Sequence, residues 1–174
     1  MVRHRFLLIT AAIGLAAGCA TVLDPGSLPS TAGGVPLAEA ALAPGSVHGL
    51  DPGLAGAFAA AVGAAAGEGH QLTLTSGFRT AAEQQALLDA EAEERGSLRE
   101  ALRWVFPPDR SMHVRGLAVD VGDREAAEWL DGEGARFGLC RTLAWEWWHF
   151  EWRAGWEQAR QCPGPVDDPA DAPT

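Results

Sequence analysis

The chain has 174 residues, enough for one domain of ordinary size with additional terminal segments. Apolar residues make up 47% of the chain, which excludes a protein that is disordered throughout. Asp and Glu number 23 against 13 Lys and Arg, and the net charge is −10. Because an acidic chain without basic runs is repelled by phosphate backbones, nucleic acid is not expected as a partner.

The first nineteen residues have the features of an export signal. Arg3 and Arg5 precede a thirteen-residue apolar stretch over 6–18, and small residues lead up to Cys19. That stretch is too short to span a bilayer but matches the apolar region of a signal peptide. The sequence Leu-Ala-Ala-Gly-Cys at 15–19 resembles a bacterial lipobox, in which the Cys is lipidated, although the Leu is one position early. We therefore expect a signal peptide over 1–19 with a lipobox-like cleavage site.

Export implies that the protein works in the cell envelope. It is expected to be lipid-anchored through Cys19 to the outer face of the cytoplasmic membrane, or simply secreted after ordinary signal cleavage near Ala20. Residues 20–49 contain repeated Pro and Gly turn signals without periodicity, which predicts a flexible tether. Residues 163–174 are rich in Pro and Asp and are predicted to form a disordered tail. One domain over 50–162 remains.

Helix and strand signals are mixed along this domain. Asp51 followed by Pro52 is typical of a helix start, and Thr80 with Glu83 matches the capping box of another helix. The alternation Gln-Leu-Thr-Leu-Thr at 71–75 predicts a strand. Helices are predicted over 52–66, 80–94, 97–104 and 125–131, and strands over 71–75, 117–121 and 147–152. This mixed order favours an α+β fold over a doubly wound parallel sheet.

Two cysteines, Cys140 and Cys162, remain in the domain. In an oxidising compartment an even pair predicts a disulfide, and its loop of about 22 residues would stabilise the fold by roughly 3 kcal/mol on the chain-entropy model. Two buried free thiols are the alternative. A metal role is not expected, because neither Cys has a second Cys or a His at ligand spacing.

Two histidines of the domain have a carboxylate close to them in the sequence. A hydrolytic zinc site needs three protein ligands and an open position for water, and zinc lowers the pKa of that water to about 7. His113, Asp120 and His149 could supply the ligands if the loop through Gly116 folds back. Asp120 lies in an otherwise apolar strand, where an unpaired carboxylate would be costly to bury. The alternative for His113 and Asp120 is a His–Asp hydrogen bond in the core, without a metal.

Glu146 precedes His149 by three residues, so a turn there could place its carboxylate beside the attacking water. A general base must lie within about 3 Å of the proton that it takes, and one Glu can act as base and then as acid. The alternative is a surface charge among tryptophans, most of which we expect in the core. Glu151 is expected to face solvent or to contact a ligand, rather than to bind the metal itself.

Three motifs follow one another over about 72–152. They are Ser-Gly-Phe-Arg-Thr at 76–80 with Gln84 five residues after the Arg, Ser-x-His-x-x-Gly-x-Ala-x-Asp at 111–120, and Glu-x-Trp-His at 146–149. In this order they resemble the motifs of D-alanyl-D-alanine carboxypeptidases of the VanY type. These are zinc peptidases related to D-Ala-D-Ala dipeptidases and L-alanyl-D-glutamate endopeptidases. This chain departs from the frequent Asn-Glu-Pro-Trp-His form of the last motif and contains no Tyr.

The resemblance implies a single α+β domain in which helices pack on a small antiparallel sheet, as in hedgehog and D-Ala-D-Ala peptidases. It implies Zn²⁺ as the cofactor, held by His113, Asp120 and His149. It makes Glu146 the base and Arg79 a stabiliser of the oxyanion. As an alternative, Arg79 could form a salt bridge with Glu83. Ser111 and Gln84 are candidate substrate contacts, and each could equally hold a loop.

The function implied is removal of the terminal D-Ala from peptidoglycan stem peptides by a protein that is expected to be a monomer. An endopeptidase cutting L-Ala–D-Glu or a cross-link is the first alternative, and a dipeptidase is the second. A non-catalytic wall-binding lipoprotein of the same fold is a third, but such a protein would not need Glu146. The expected partners are stem peptides and, if Cys19 is modified, the membrane.

Overall fold

The domain consists of a four-stranded antiparallel sheet with helices packed on it. This architecture confirms the predicted α+β class. The computed structural model describes residues 47–172, so the predicted signal peptide, Cys19 and most of the tether lie outside the described residues. Within 47–172, no helix is both long and apolar enough to cross a membrane. The elements are α1 Pro52–Gly67, β1 Thr73–Ser76, α2 Ala81–Arg95, α3 Leu98–Ala101, β2 Ala118–Gly122, α4 Arg124–Glu133, β3 Leu139–Cys140, β4 His149–Trp152 and α5 Ala154–Ala159, with 3-10 turns at Gly134–Phe137 and Pro169–Asp171.

The strands lie in the order β1-β2-β4-β3, and each neighbouring pair is antiparallel. The register places Asp120 of β2 directly opposite His149 of β4 on one side and Ser76 of β1 on the other. Side chains alternate between the two faces of a strand. Val119 and Val121 therefore enter the apolar core, while Asp120 points to the opposite face. The sheet thus brings two candidate ligands together on one face.

Helix α1 covers the core face of the sheet. Its buried residues Leu54, Phe58, Ala61 and Ala65 recur at helical spacing and join one cluster with Phe150 and other core residues. The Asp51 side chain accepts a hydrogen bond from the Gly53 amide at 2.7 Å, so this helix begins at the cap that the sequence predicts.

Several boundaries differ from those predicted. Helix α3 ends at Ala101 and is followed by hydrogen-bonded turns, rather than continuing to Trp104. Strand β4 begins at His149 because the preceding residues form a turn, in which the His149 amide donates to the Glu146 carbonyl at 3.4 Å. The sequence analysis did not predict β3 or α5. Both are short, with two and six residues, and leave little periodicity to detect.

The C-terminal segment departs from the disordered tail that was predicted over 163–174. The Val166 amide donates to the Thr142 carbonyl at 2.9 Å, and the Ala144 amide donates to the Val166 carbonyl at 3.0 Å. Farther on, the Arg110 guanidinium donates to the Pro169 carbonyl at 2.6 Å. These backbone partners hold residues 166–169 against the domain, which composition alone did not reveal.

The structure confirms the disulfide between Cys140 and Cys162, whose Cα atoms are 5.4 Å apart. It joins β3 to the segment that follows α5. The bond therefore fixes the beginning of the loop that leads to Glu146.

Candidate active site

The three predicted ligands come from two strands and one tight loop. Asp120 lies within β2 and His149 begins β4, while His113 lies in the loop before β2. This loop turns back at Gly116, where a φ of +70° favours glycine and any Cβ would lie only 2.6 Å from the Gly49 carbonyl oxygen. The amide of Gly116 donates to the His113 carbonyl at 3.0 Å and closes the turn. The fold-back that the sequence analysis required is therefore present.

The donor atoms of the three side chains converge. His113 Nε2 lies 3.1 Å from Asp120 Oδ1, and His149 Nδ1 lies 3.0 Å from the same oxygen. The two imidazole nitrogens are 3.2 Å apart. All three side chains are buried, and their donor atoms lie within 4.8 Å of one another. Two imidazoles and one carboxylate around a common point fit a catalytic zinc site, which has three protein ligands and a position left open.

Two of the three candidate ligands are also held from the side that faces away from the cluster. His113 Nδ1 is 2.7 Å from the Gly77 carbonyl, and because a carbonyl only accepts, Nδ1 carries the hydrogen and Nε2 is free to face the cluster. Arg79 Nη2 donates to Asp120 Oδ2 at 2.7 Å, so the other oxygen, Oδ1, faces the histidines. Contacts of this kind orient metal ligands in zinc proteins.

The buried charges shift one another's pKa values. Burial lowers the pKa of His149, but its hydrogen bonds to Asp120 and Glu151 and the charges of Asp120 and Glu146 outweigh burial and raise the pKa to about 10. Burial raises the pKa of Asp120, yet the two histidines outweigh it and hold that pKa well below its usual range. The pKa of His113 is lowered, chiefly by burial. Without a metal, the cluster thus holds its proton on His149.

The cluster lies in the wall of a cleft of 310 Å³. Glu146 lines the same cleft from the turn before β4, and its Oε2 is 3.8 Å from His149 Nδ1. Its side chain remains 20% exposed, and burial raises its pKa. A carboxylate beside the metal-facing nitrogen and open to the cleft can exchange a proton with a bound water or substrate, as a general base must.

Arg79 lines the cleft. It does not form the salt bridge with Glu83 that was its alternative role. Glu83 instead forms a capping box with Thr80 at the start of α2. The guanidinium binds Asp120, and it also donates to Ser76 Oγ and to Gln84 Oε1, both at 3.1 Å. Arg79 is therefore fixed beside the candidate metal ligands.

The two candidate substrate contacts differ in their surroundings. The Gln84 amide accepts from Arg79 and donates to the Phe106 carbonyl at 2.8 Å, so both of its ends contact protein. That arrangement favours the loop-holding role for Gln84. Ser111 is buried and lines the cleft close to His113, where a substrate could still reach it.

Sequence analysis missed the contacts behind the ligands. Three contacts are set by the fold, and no spacing in the sequence predicts them. They join His113 to the Gly77 carbonyl, Arg79 to the Ser76 hydroxyl, and Arg79 to Asp120. Glu151 was left undecided between solvent and the site, and it is buried with Oε1 3.5 Å from His149 Nε2. The two-residue period of a strand places His149 and Glu151 on one face, and this signal could have settled its position.

Comparison with known proteins identifies the family. The family model described as VanY, D-alanyl-D-alanine carboxypeptidase, matches residues 47–162. A D-alanyl-D-alanine carboxypeptidase of Enterococcus faecalis (strain ATCC 700802 / V583) is 36% identical over 93 residues, which are 45% of this chain and 35% of that protein. This chain thus matches only about a third of the length of that relative.

Solved structures give the same result. A vancomycin resistance D,D-pentapeptidase VanY in complex with Zn(II) is 26% identical, with a TM-score of 0.58 over 64% of this chain and 75% of that chain. VanYB in complex with D-alanine-D-alanine is also 26% identical, with a TM-score of 0.59 over 64% of this chain and 74% of that one. The LD-carboxypeptidase LdcB, at 22% identity and a TM-score of 0.57, shares the fold. The chain therefore belongs to the VanY family of D-alanyl-D-alanine carboxypeptidases.

Proposed function

We propose that the protein is an exported, zinc-dependent D-alanyl-D-alanine carboxypeptidase that removes the terminal D-Ala from peptidoglycan stem peptides. One observation carries the proposal: His113, Asp120 and His149 present their donor atoms within 4.8 Å of one another, in a cleft that Glu146 also lines. A non-catalytic binding protein has no need of a carboxylate in that position.

His113 Nε2, Asp120 Oδ1 and His149 Nδ1 would hold the zinc. When bound, zinc acts as a Lewis acid that polarises the scissile carbonyl and lowers the pKa of a water in the open position. The Zn(II) in the related VanY structure supports this choice of metal.

Glu146 carries the proton in the proposed reaction. Its carboxylate takes a proton from the attacking water while the new C–O bond forms at the scissile carbonyl carbon. The same group then gives this proton to the amide nitrogen as the C–N bond breaks and D-Ala leaves as the free amine. The raised pKa of Glu146, which burial causes, suits a group that must be protonated between the two steps.

Arg79 stabilises the negative charge that develops on the carbonyl oxygen. Among residues 47–172 it is the one arginine that lines the cleft. Its contact with Asp120 fixes one edge of the guanidinium, so its charge is in place before the reaction begins. Ser111 is proposed as a polar contact to the substrate.

The proposed location matches the substrate. Peptidoglycan stem peptides lie outside the cytoplasmic membrane, and the sequence over 1–19 directs the chain there. We propose that Cys19 anchors the protein when it is lipidated. Mass spectrometry of the full chain expressed in a bacterium tests this, because lipidation adds the mass of acyl chains to a mature protein that starts at Cys19, and Cys19→Ala should abolish that mass.

Mass spectrometry of muropeptides tests the activity. Zinc-loaded protein incubated with pentapeptide muropeptides should remove one alanine, and a chelator should prevent the change. A stem split between L-Ala and D-Glu would instead show an endopeptidase, and loss of a dipeptide would show a dipeptidase. Unchanged muropeptides that bind the protein would show a wall-binding protein without activity.

A further inference from the structure

Glu151 is a buried carboxylate that the proposed reaction does not use. It lies in β4 two residues after His149, so both side chains emerge on the same face of the sheet. Its side chain is only 2% exposed, and Oε1 lies 3.5 Å from His149 Nε2. The second oxygen, Oε2, is buried and has no hydrogen-bond partner within residues 47–172. Burying a carboxylate in this way is costly unless it has a specific partner.

His149 presents its two ring nitrogens to different neighbours. Nδ1 faces Asp120 and His113 at 3.0 and 3.2 Å, and Nε2 faces Glu151. A neutral imidazole can bind a metal only through the nitrogen that carries no hydrogen. If the hydrogen were on Nδ1, it would point into the cluster and exclude the ion. Some group must therefore favour the hydrogen on Nε2.

His113 shows the same arrangement in reverse. The Gly77 carbonyl binds its Nδ1 at 2.7 Å and leaves Nε2 to face the cluster. Each of the two histidines thus has an oxygen acceptor on the ring nitrogen that is remote from the cluster. For His113 that acceptor is a backbone carbonyl, and for His149 it is the Glu151 carboxylate.

We propose that Glu151 is a positioning residue that accepts the Nε2–H of His149 and so keeps Nδ1 free and aimed at the metal. This inference rests on the proposed function, because it assumes a metal at the cluster. It also separates the roles of the two glutamates in the segment: Glu146 lies on the Nδ1 side of the ring and handles protons, whereas Glu151 lies on the Nε2 side and handles orientation.

Zinc affinity tests this role apart from activity. Glu151→Leu removes the acceptor at similar volume and should weaken zinc binding about 10- to 100-fold in competition with a chelator. Glu151→Gln keeps an acceptor oxygen and should recover most of the affinity. Glu128→Leu removes an exposed carboxylate on α4, which pairs with Arg124, and should leave the affinity unchanged. His113→Ala removes a proposed ligand, so its zinc affinity gives the lower limit against which the Glu151 variants are compared.

A second measurement does not depend on any variant folding. Long-range proton–nitrogen NMR correlations of the zinc-loaded wild-type protein should show His149 with a hydrogen on Nε2 and zinc on Nδ1. Zinc on Nε2 would overturn the inference, as would equal zinc affinity of Glu151→Leu and wild type, or a Gln variant as weak as the Leu variant. A wild-type protein that binds no zinc would refute the proposed function together with this inference.

Discussion

His113 and His149 face each other through nitrogens 3.2 Å apart, yet their pKa values shift in opposite directions. The difference arises from their neighbours. Burial dominates for His113 and favours its neutral form, whereas three carboxylates surround His149 and favour its charged form. The metal-free site therefore contains one neutral imidazole ready to bind and one imidazolium paired with Asp120.

This asymmetry predicts that zinc binding releases a proton. The pKa of His149 is raised to about 10 without metal, so the ring is protonated at pH 7 and must lose its proton to become a ligand. Zinc affinity should accordingly rise with pH from neutral up to about pH 10. Isothermal titration calorimetry at pH 7 in two buffers of different ionisation enthalpy should give about one proton released per zinc. Binding heats that do not depend on the buffer would contradict the assigned protonation.

The start of α2 positions Arg79. Thr80 accepts from the Glu83 amide at 3.2 Å, and the Glu83 carboxylate accepts from the Thr80 amide at 2.7 Å. The Arg79 amide donates to the His113 carbonyl at 3.3 Å, which joins this helix start to the loop before β2. The capping box thus orders the chain directly beside the site.

Replacing Thr80 with Ala removes the cap from the first turn of α2. Loss of an N-cap side chain costs about 1 kcal/mol, and the free energy of unfolding should fall by that amount in urea denaturation. Gln85→Ala, one turn farther along the exposed side of the helix, should change the stability much less. An unfolding free energy of Thr80→Ala equal to that of wild type would show that the cap does not hold this junction.

The elements also show how far sequence reasoning reaches. Local patterns predicted the caps, the strands and the set His113, Asp120 and His149, because each depends on neighbours within a few residues or on a specific motif. Side-chain contacts between segments that are far apart in the sequence could not be predicted from local patterns. The hydrogen bond from Arg79 to Asp120 joins residues 41 positions apart, and no local pattern encodes that contact.

The C-terminal segment of the described chain contacts two separate segments that contribute residues to the cleft. Val166 pairs with the stretch that carries Leu143, and Pro169 accepts from Arg110, which directly precedes the cleft residue Ser111. The disulfide fixes the chain just before this segment at Cys162. The composition of residues 163–174 predicted disorder. It does not reveal these contacts, because the partners lie far away in the sequence.

The disulfide should stabilise the fold mainly by restricting the conformations of the unfolded chain. Replacing Cys140 and Cys162 by Ser should lower the unfolding free energy by roughly 3 kcal/mol, because a loop of about 22 residues is no longer closed in the unfolded state. Urea denaturation of the oxidised wild type and the double variant measures the difference. Wild type treated with reductant should match the variant. Equal midpoints for oxidised and reduced wild type would show that the disulfide does not stabilise the fold.

The proposed reaction requires Glu146 to drive peptide hydrolysis at the site formed by His113, Asp120 and His149. The most direct test is the rate of D-Ala release from a pentapeptide stem by zinc-loaded wild type and Glu146→Gln, with zinc content measured on the same samples. The substitution keeps the shape of the side chain but removes its ability to take a proton, so kcat should fall by at least about 10³-fold while zinc content stays stoichiometric. Near-normal turnover by Glu146→Gln would show that the base lies elsewhere, and loss of zinc would make Glu146 a ligand; either result would contradict the role proposed for Glu146.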